Sequence, residues 1–170
     1  LALQDQFRER ATGKTYLALV QGDWPASKKV IDLPLHKYLL PDGERRVRVT
    51  TANDPDDMPA LTLVRVRQRL APRPLQGLPA MTLLEVTIKT GRTHQIRVHL
   101  ASQGHAIVGD DKYGDFDLNK RLPKQGLKRM FLHAWRLVFT HPASGERTTL
   151  HAELPQELVD FVASAPLASP

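Results

Sequence analysis

The sequence predicts an α+β domain built on a mixed, mainly antiparallel sheet with flanking helices. Three observations carry this reading. Segments with the two-residue alternation of a strand outnumber those with helical spacing. Residues 61–70 and 81–89 stand on either side of a proline-containing loop as the two arms of a hairpin. Strands and helices also fail to alternate regularly, as a parallel sheet would require. At 170 residues and 41% hydrophobic content the chain can bury one core, so one domain is expected.

The elements follow in order. Leu3 and Phe7 stand at helical spacing among charges, and Gly13 ends that helix. In residues 14–20, Tyr16, Ala18 and Val20 share one strand face and Thr15, Leu17 and Leu19 the other, which predicts a central strand with two apolar sides. Gly22, Pro25 and Pro34 interrupt the chain, and Pro41-Asp42-Gly43 is a turn into a strand at Arg45–Thr50, where Val47 and Val49 alternate with arginine. An acidic connection, residues 53–57, leads to the hairpin. After Thr90-Gly91 the period changes: Ile96, His99, Leu100 and Gln103 have helical spacing, with Thr93 as the expected N-cap and Gly104 as the stop. A loop is expected from Gly109 to Gly126, strands at Phe131–Thr140 and Glu146–Glu153, and a final helix at Glu157–Ser164.

Lysine and arginine outnumber aspartate and glutamate by 24 to 18, a net charge of +6 that favours an anionic partner such as nucleic acid. The absence of cysteine excludes a disulfide framework, a thiolate zinc site and a thiol nucleophile, and makes a cytoplasmic location the expectation. No membrane partner is expected, since no apolar run has spanning length. A monomer is expected.

The segment Lys89–Leu100 concentrates two arginines, two histidines and a glutamine at a strand-to-helix turn. Free N–H groups at a helix start and the forked donors of arginine suit a phosphate or a carboxylate. Spacing alone fits a solvated, capped helix start equally well. His94 and His99 are five residues apart, which is not a metal-binding helical spacing, so no metal site is expected. Arg65, Arg67 and Arg69 are expected on one strand face, where they would form either a phosphate-tracking stripe or a solvated surface. Arg46 and Arg48 offer the same choice. Taken alone, Tyr16 on its apolar strand reads as a core tyrosine.

Gly91-Arg92-Thr93-His94-Gln95-Ile96-Arg97-Val98-His99 resembles the Gly-Arg-Thr-His-Gln-Ile-Arg-x-His motif of RluA/RluC-type RNA pseudouridine synthases. Lys14-Thr15-Tyr16-Leu17-Ala18-Leu19-Val20-Gln21-Gly22 is similar to that family's tyrosine strand, residues 104–110 with Tyr113-Gly114 to its Gly-Asp loop, and Leu132-His133-Ala134 to a later strand. The resemblance implies a cofactor-free isomerase that flips a uridine out of ribosomal RNA of the large subunit, detaches the uracil from C1′ and rejoins it through C5. It implies Tyr16 and Arg97 as catalytic residues, the tyrosine stacking on the flipped base and the arginine pairing with an essential aspartate. Arg92, His94 and Gln95, with Arg65, Arg67 and Arg69, are the expected RNA contacts. His105 and His133 match family positions and are expected to make structural hydrogen bonds.

The family's aspartate belongs to an Arg-Leu-Asp-x-x-Thr-Ser-Gly motif, which does not occur in these residues. The expectation is therefore a partial catalytic domain over 1–170, with the aspartate segment and an S4-like RNA-binding domain lying upstream. None of the internal aspartates is expected to replace it; Asp110 and Asp111 fall in the Gly-Asp loop, where acids bond backbone groups. The competing readings are a noncatalytic RNA-binding module of the same fold and, third, a ribosome-associated structural protein.

Overall fold

The computed structural model describes residues 13–166. The helix expected before Gly13 lies outside the described residues. Eight strands form two sheets: β1 (Gly13–Gln21), β2 (Val30–Asp32), β3 (Leu35–Leu39), β4 (Arg45–Val49), β5 (Leu61–Leu70), β6 (Met81–Ile88), β7 (Leu132–Thr140) and β8 (Arg147–His151). The main sheet has the order β2-β5-β6-β1-β7-β8, and β3-β4 form a separate pair. Every pairing among the described strands is antiparallel.

The central position of β1 follows from its two apolar faces. Leu17 and Leu19 join Leu83, Met81 and Leu70 on one side, and Ala18 and Val20 join Leu84, Val86 and Val64 on the other, all essentially closed to solvent. Burying each such leucine contributes roughly 1.5–3 kcal/mol. Helix α1 (Gln95–Ser102) lays Ile96 and Leu100 on the second face, while the C-terminal helix, Gln156–Ala163, lays Leu158 and Phe161 on the first. The β3-β4 pair docks beside α1, where Leu35 and Val47 meet Ala60 and Val98 in a third apolar cluster. No helix among the described residues is long and apolar enough to cross a membrane.

Four local expectations change. Leu35–Leu39 is a strand despite Pro34, because β4 supplies its pairing partner across the single turn at Pro41-Asp42-Gly43. The stretch from Gly109 to Gly126 holds a short helix, Phe116–Asn119, capped by Asp115 Oδ1 accepting from Leu118 N at 3.1 Å, and a 3-10 turn at Pro123–Gln125. The residue at the start of α1 is His94 rather than Thr93; it has the left-handed φ of 52° and makes no side-chain cap. Finally, the three arginines of β5 do not share a face. Val66 pairs with Leu84 but Gln68 pairs with Leu83, so Arg67 sits in a bulge and the alternation inverts beyond it. Arg65, 83% exposed along its side chain, and Arg67 both reach Glu85, whereas Arg69 turns to the opposite side and donates to the Trp24 carbonyl at 2.7 Å.

Candidate active site

The Thr90–Gln95 turn ends β6 and starts α1, and it is organised by one buried glutamine. Gln95 Oε1 accepts from Thr90 Oγ1 at 2.7 Å and from Arg92 N at 3.1 Å, while its Nε2 donates to Leu61 O and Thr62 Oγ1, both at 3.0 Å. The Thr62 hydroxyl in turn donates to His99 Nδ1 at 2.7 Å, and His99 Nε2 donates to Leu33 O at 2.8 Å. Leu61 N closes the start of this chain by donating to Thr90 Oγ1. Gln95, expected as an RNA contact, is 3% exposed and has both amide ends engaged by internal partners.

His99 is fully buried, and burial holds its imidazole below the ordinary histidine range even though the Leu33 carbonyl favours the cation. The unfolded chain therefore binds the proton more readily. Stability from this group is complete above pH about 6.5 and is lost as the pH falls through that value toward the folded pKa. Replacing His99 with leucine leaves the Thr62 O–H without its acceptor and the Leu33 carbonyl without its donor, while Thr62 Oγ1 keeps the Gln95 Nε2 hydrogen bond, an expected cost of about 1–3 kcal/mol. Urea unfolding at pH 7.5 and 5.5 tests both points: the variant should be less stable at the higher pH and less sensitive to the change.

Two residues along α1 from both Gln95 and His99, Arg97 grips Asp110 with two parallel hydrogen bonds, Nε to Oδ2 at 2.9 Å and Nη2 to Oδ1 at 2.7 Å. Burial alone would raise the Asp110 carboxyl; the guanidinium and the backbone N–H groups of Lys112 and Tyr113 outweigh it and hold the acid below the usual carboxylate range. The hydrogen bond to Asp110 likewise raises the Arg97 pKa. Among the described residues Nη1 of Arg97 carries no hydrogen bond, so one donor of the fork is available to a further acceptor. Sequence reasoning missed Asp110 as Arg97's partner and missed Tyr113, whose ring lies 5.2 Å from the Arg97 guanidinium carbon. Both stand in the Gly-Asp-x-x-Tyr-Gly loop already visible as a motif, which was the available signal.

Tyr16 lies on the same side of the sheet as α1, packed against the cluster that contains Ile96. It lines a cleft of about 510 Å³ together with Lys14, Ala134, Trp135, Leu137 and Leu150, a volume in the range of small-ligand pockets. Burial pushes the phenol up, so Tyr16 stays protonated at neutral pH. Among the described residues no hydrogen bond or ring contact joins Tyr16 to Arg97; the two share a face and not a contact. Arg92 is half-buried and donates from Nε to Pro59 O at 2.9 Å. His94 Nδ1 meets the Tyr113 hydroxyl at 2.7 Å. His105 and His133 bond the carbonyls of Gln21 and Ala152 at 2.8 and 2.7 Å. His36, Asp54 and Asp56 bring three ligand-capable atoms within 4.8 Å of one another, but Asp54 is already engaged by Thr50, the Asp56 N–H and His36.

Comparison with known proteins identifies the family. The family model described as RNA pseudouridylate synthase matches residues 1–102. Ribosomal large subunit pseudouridine synthase C of Salmonella typhi is 41% identical over 159 residues, 92% of this chain and 46% of that protein. Its counterpart from Pasteurella multocida is 40% identical over 157 residues, again 92% of the chain and 44% of the relative. The chain thus spans about half the length of the curated relatives it matches. Among solved structures, Human RNA Pseudouridylate Synthase Domain Containing 1 superposes with a TM-score of 0.75 at 27% identity, covering 98% of this chain and 64% of that one. Human RNA Pseudouridylate Synthase Domain Containing 4 gives 0.70 at 26% identity, over 95% and 65%. With the tyrosine strand, the arginine helix and the Gly-Asp loop assembled on one side of the sheet, the chain belongs to the RNA pseudouridylate synthase family.

Proposed function

We propose that this chain is the downstream part of a catalytic domain that isomerises specific uridines of large-subunit (23S) ribosomal RNA to pseudouridine. The observation that carries the reading is the juxtaposition of the Tyr16 cleft and the Arg97 helix on one face of the sheet. In this reading a flipped uracil stacks on the Tyr16 ring, and the cleft walls of Ala134, Leu137 and Leu150 exclude water from it. The nucleophilic carboxylate comes from sequence upstream of Leu1, and Nη1 of Arg97 holds it ionised and oriented while Asp110 fixes the guanidinium from the other side. The C1′–N1 bond breaks and N1 ends protonated, the C1′–C5 bond forms and the C5 hydrogen leaves as a proton to solvent; the exchange is redox-neutral and in this reading uses no cofactor or metal. Arg92, His94, Arg65 and Arg67 meet the RNA backbone, with Arg65 and Arg67 doing so from a different face than Arg69. The protein works in the cytoplasm as a monomer.

Tritium release from uracil-labelled large-subunit ribosomal RNA tests this directly, with the 170-residue chain compared against the same chain carrying its native upstream sequence. Turnover by the extended chain alone is the expected result. Turnover by both places the nucleophile among the internal aspartates, and turnover by neither, with RNA binding retained, favours a noncatalytic RNA-binding module.

A further inference from the structure

We propose that Tyr113 is a positioning residue, a single phenol that fixes the imidazole of His94, the plane of Arg97 and the seat of the β3-β4 hairpin together. This rests on the RNA-modifying reading of the site and extends it to a residue with no role so far.

The geometry converges on one side chain from three elements. Val47 N, on the open edge of β4, donates to Tyr113 Oη at 3.0 Å. Because that bond uses the oxygen as acceptor, the phenolic hydrogen is free to donate to His94 Nδ1 at 2.7 Å. Burial, reinforced by the charges of Arg97 and Lys112, holds His94 below the ordinary histidine range, consistent with a neutral ring that accepts at Nδ1 and carries its proton on Nε2. The two rings meet edge to face at 5.4 Å and 68°, and the Tyr113 face carries the Arg97 guanidinium at 5.2 Å and that of Arg46 at 5.8 Å.

Two further facts mark this as a held arrangement. His94 is the one non-glycine residue with positive φ among those described, a conformation that persists where surrounding contacts over-determine it. Tyr113 itself is anchored, since its backbone N donates to Asp110 Oδ1, the oxygen that also receives Arg97 Nη2. Asp110, Arg97 and Tyr113 thus close a ring of mutual support. Any movement of the hairpin that carries Arg45, Arg46 and Arg48 is transmitted through Val47 to the phenol, and from there to His94 and Arg97.

The test uses the native protein with Tyr113→Phe, which keeps the ring, and Tyr113→Leu, which removes it. Nitrogen-15 NMR of the histidines reads the His94 tautomer, affinity is measured with a uridine-containing ribosomal RNA fragment, and tritium release gives kcat. Tyr113→Phe should convert His94 from a single Nε2-protonated form to a mixture and weaken RNA binding about 3–10-fold, as the loss of one net hydrogen bond gives. Tyr113→Leu should lower kcat more than tenfold below Tyr113→Phe, because only the leucine variant takes the ring from under Arg97. An unchanged tautomer and unchanged affinity in Tyr113→Phe overturn the proposal, as do equal kcat values for the two variants. Should Tyr113→Leu fail to fold, the phenylalanine variant decides alone. If the unsubstituted protein releases no tritium, the functional reading fails, while the NMR result still decides whether Tyr113 fixes His94.

Discussion

Arg97→Ala is expected to abolish isomerisation while leaving most RNA affinity in place, and to lower folding stability by about 3–5 kcal/mol. The stability loss comes from the partner left behind. Asp110 is 1% exposed along its side chain, and removing the guanidinium strands a buried carboxylate with only two backbone N–H donors. The sign of the pH dependence follows. In the unsubstituted protein the Asp110 pKa is depressed, so its contribution is present at neutral pH and is lost as the pH falls through the folded value. Without Arg97, burial dominates and raises that pKa, so protonating Asp110 relieves the variant. The deficit should be large at pH 7.5 and clearly smaller at pH 4.5 in urea unfolding. An equal deficit at both values would sink the electrostatic account, and full tritium release by the variant would remove Arg97 from the chemistry.

Gly109→Ala should cost about 2–5 kcal/mol, the sum of a left-handed backbone penalty and overpacking. Gly109 has φ +85°, and a Cβ there would stand 2.7 Å from the Arg129 carbonyl oxygen and 3.1 Å from Met130 Cα, neither of which is a flexible side-chain end. Its N–H also donates to Asn119 Oδ1 at 3.0 Å, and its neighbour in the chain is Asp110. The displaced backbone should therefore carry Asp110 off Arg97 and reduce turnover along with stability. Gly43→Ala is the control: φ is +87° but nothing lies within 4 Å of the added carbon, so the backbone penalty of about 1–2 kcal/mol is all that is expected. Equal losses at the two positions would refute the close-approach argument.

The parts of this structure legible in the sequence are those fixed by local periodicity. The two apolar faces of residues 14–20 read directly as a central strand, and the change of period after Thr90 located α1. What stayed hidden depends on partners distant in the chain. The strict alternation of Arg65, Arg67 and Arg69 says one face, but the pairing with Leu83 and Leu84 inserts a bulge that no property of β5 alone announces. Thr93 has the chemistry of a cap, yet the Gln95 side chain accepts from Arg92 N and His94 turns left-handed toward Tyr113. The candidate site was legible as residues and not as contacts: Arg97 was recognisable from its motif, while its pairing with Asp110 thirteen positions later is a product of the fold.

The polar chain running from Thr90 through Gln95, Thr62 and His99 to Leu33 also works as a gauge of strand alignment. Its members come from the end of β6, the start of β5, α1 and the link between β2 and β3, and each donor finds its acceptor only in one alignment. The valine- and leucine-rich strands could slide by two residues and still keep apolar side chains inward. A slipped pairing of β5 on β6 would carry Thr62 away from both Gln95 and His99, stranding several polar groups in a dry interior at about 1–3 kcal/mol each. The chain thereby rejects mispaired sheets that hydrophobic packing alone would tolerate, and it does so beside Arg97, where an alignment error would be most damaging.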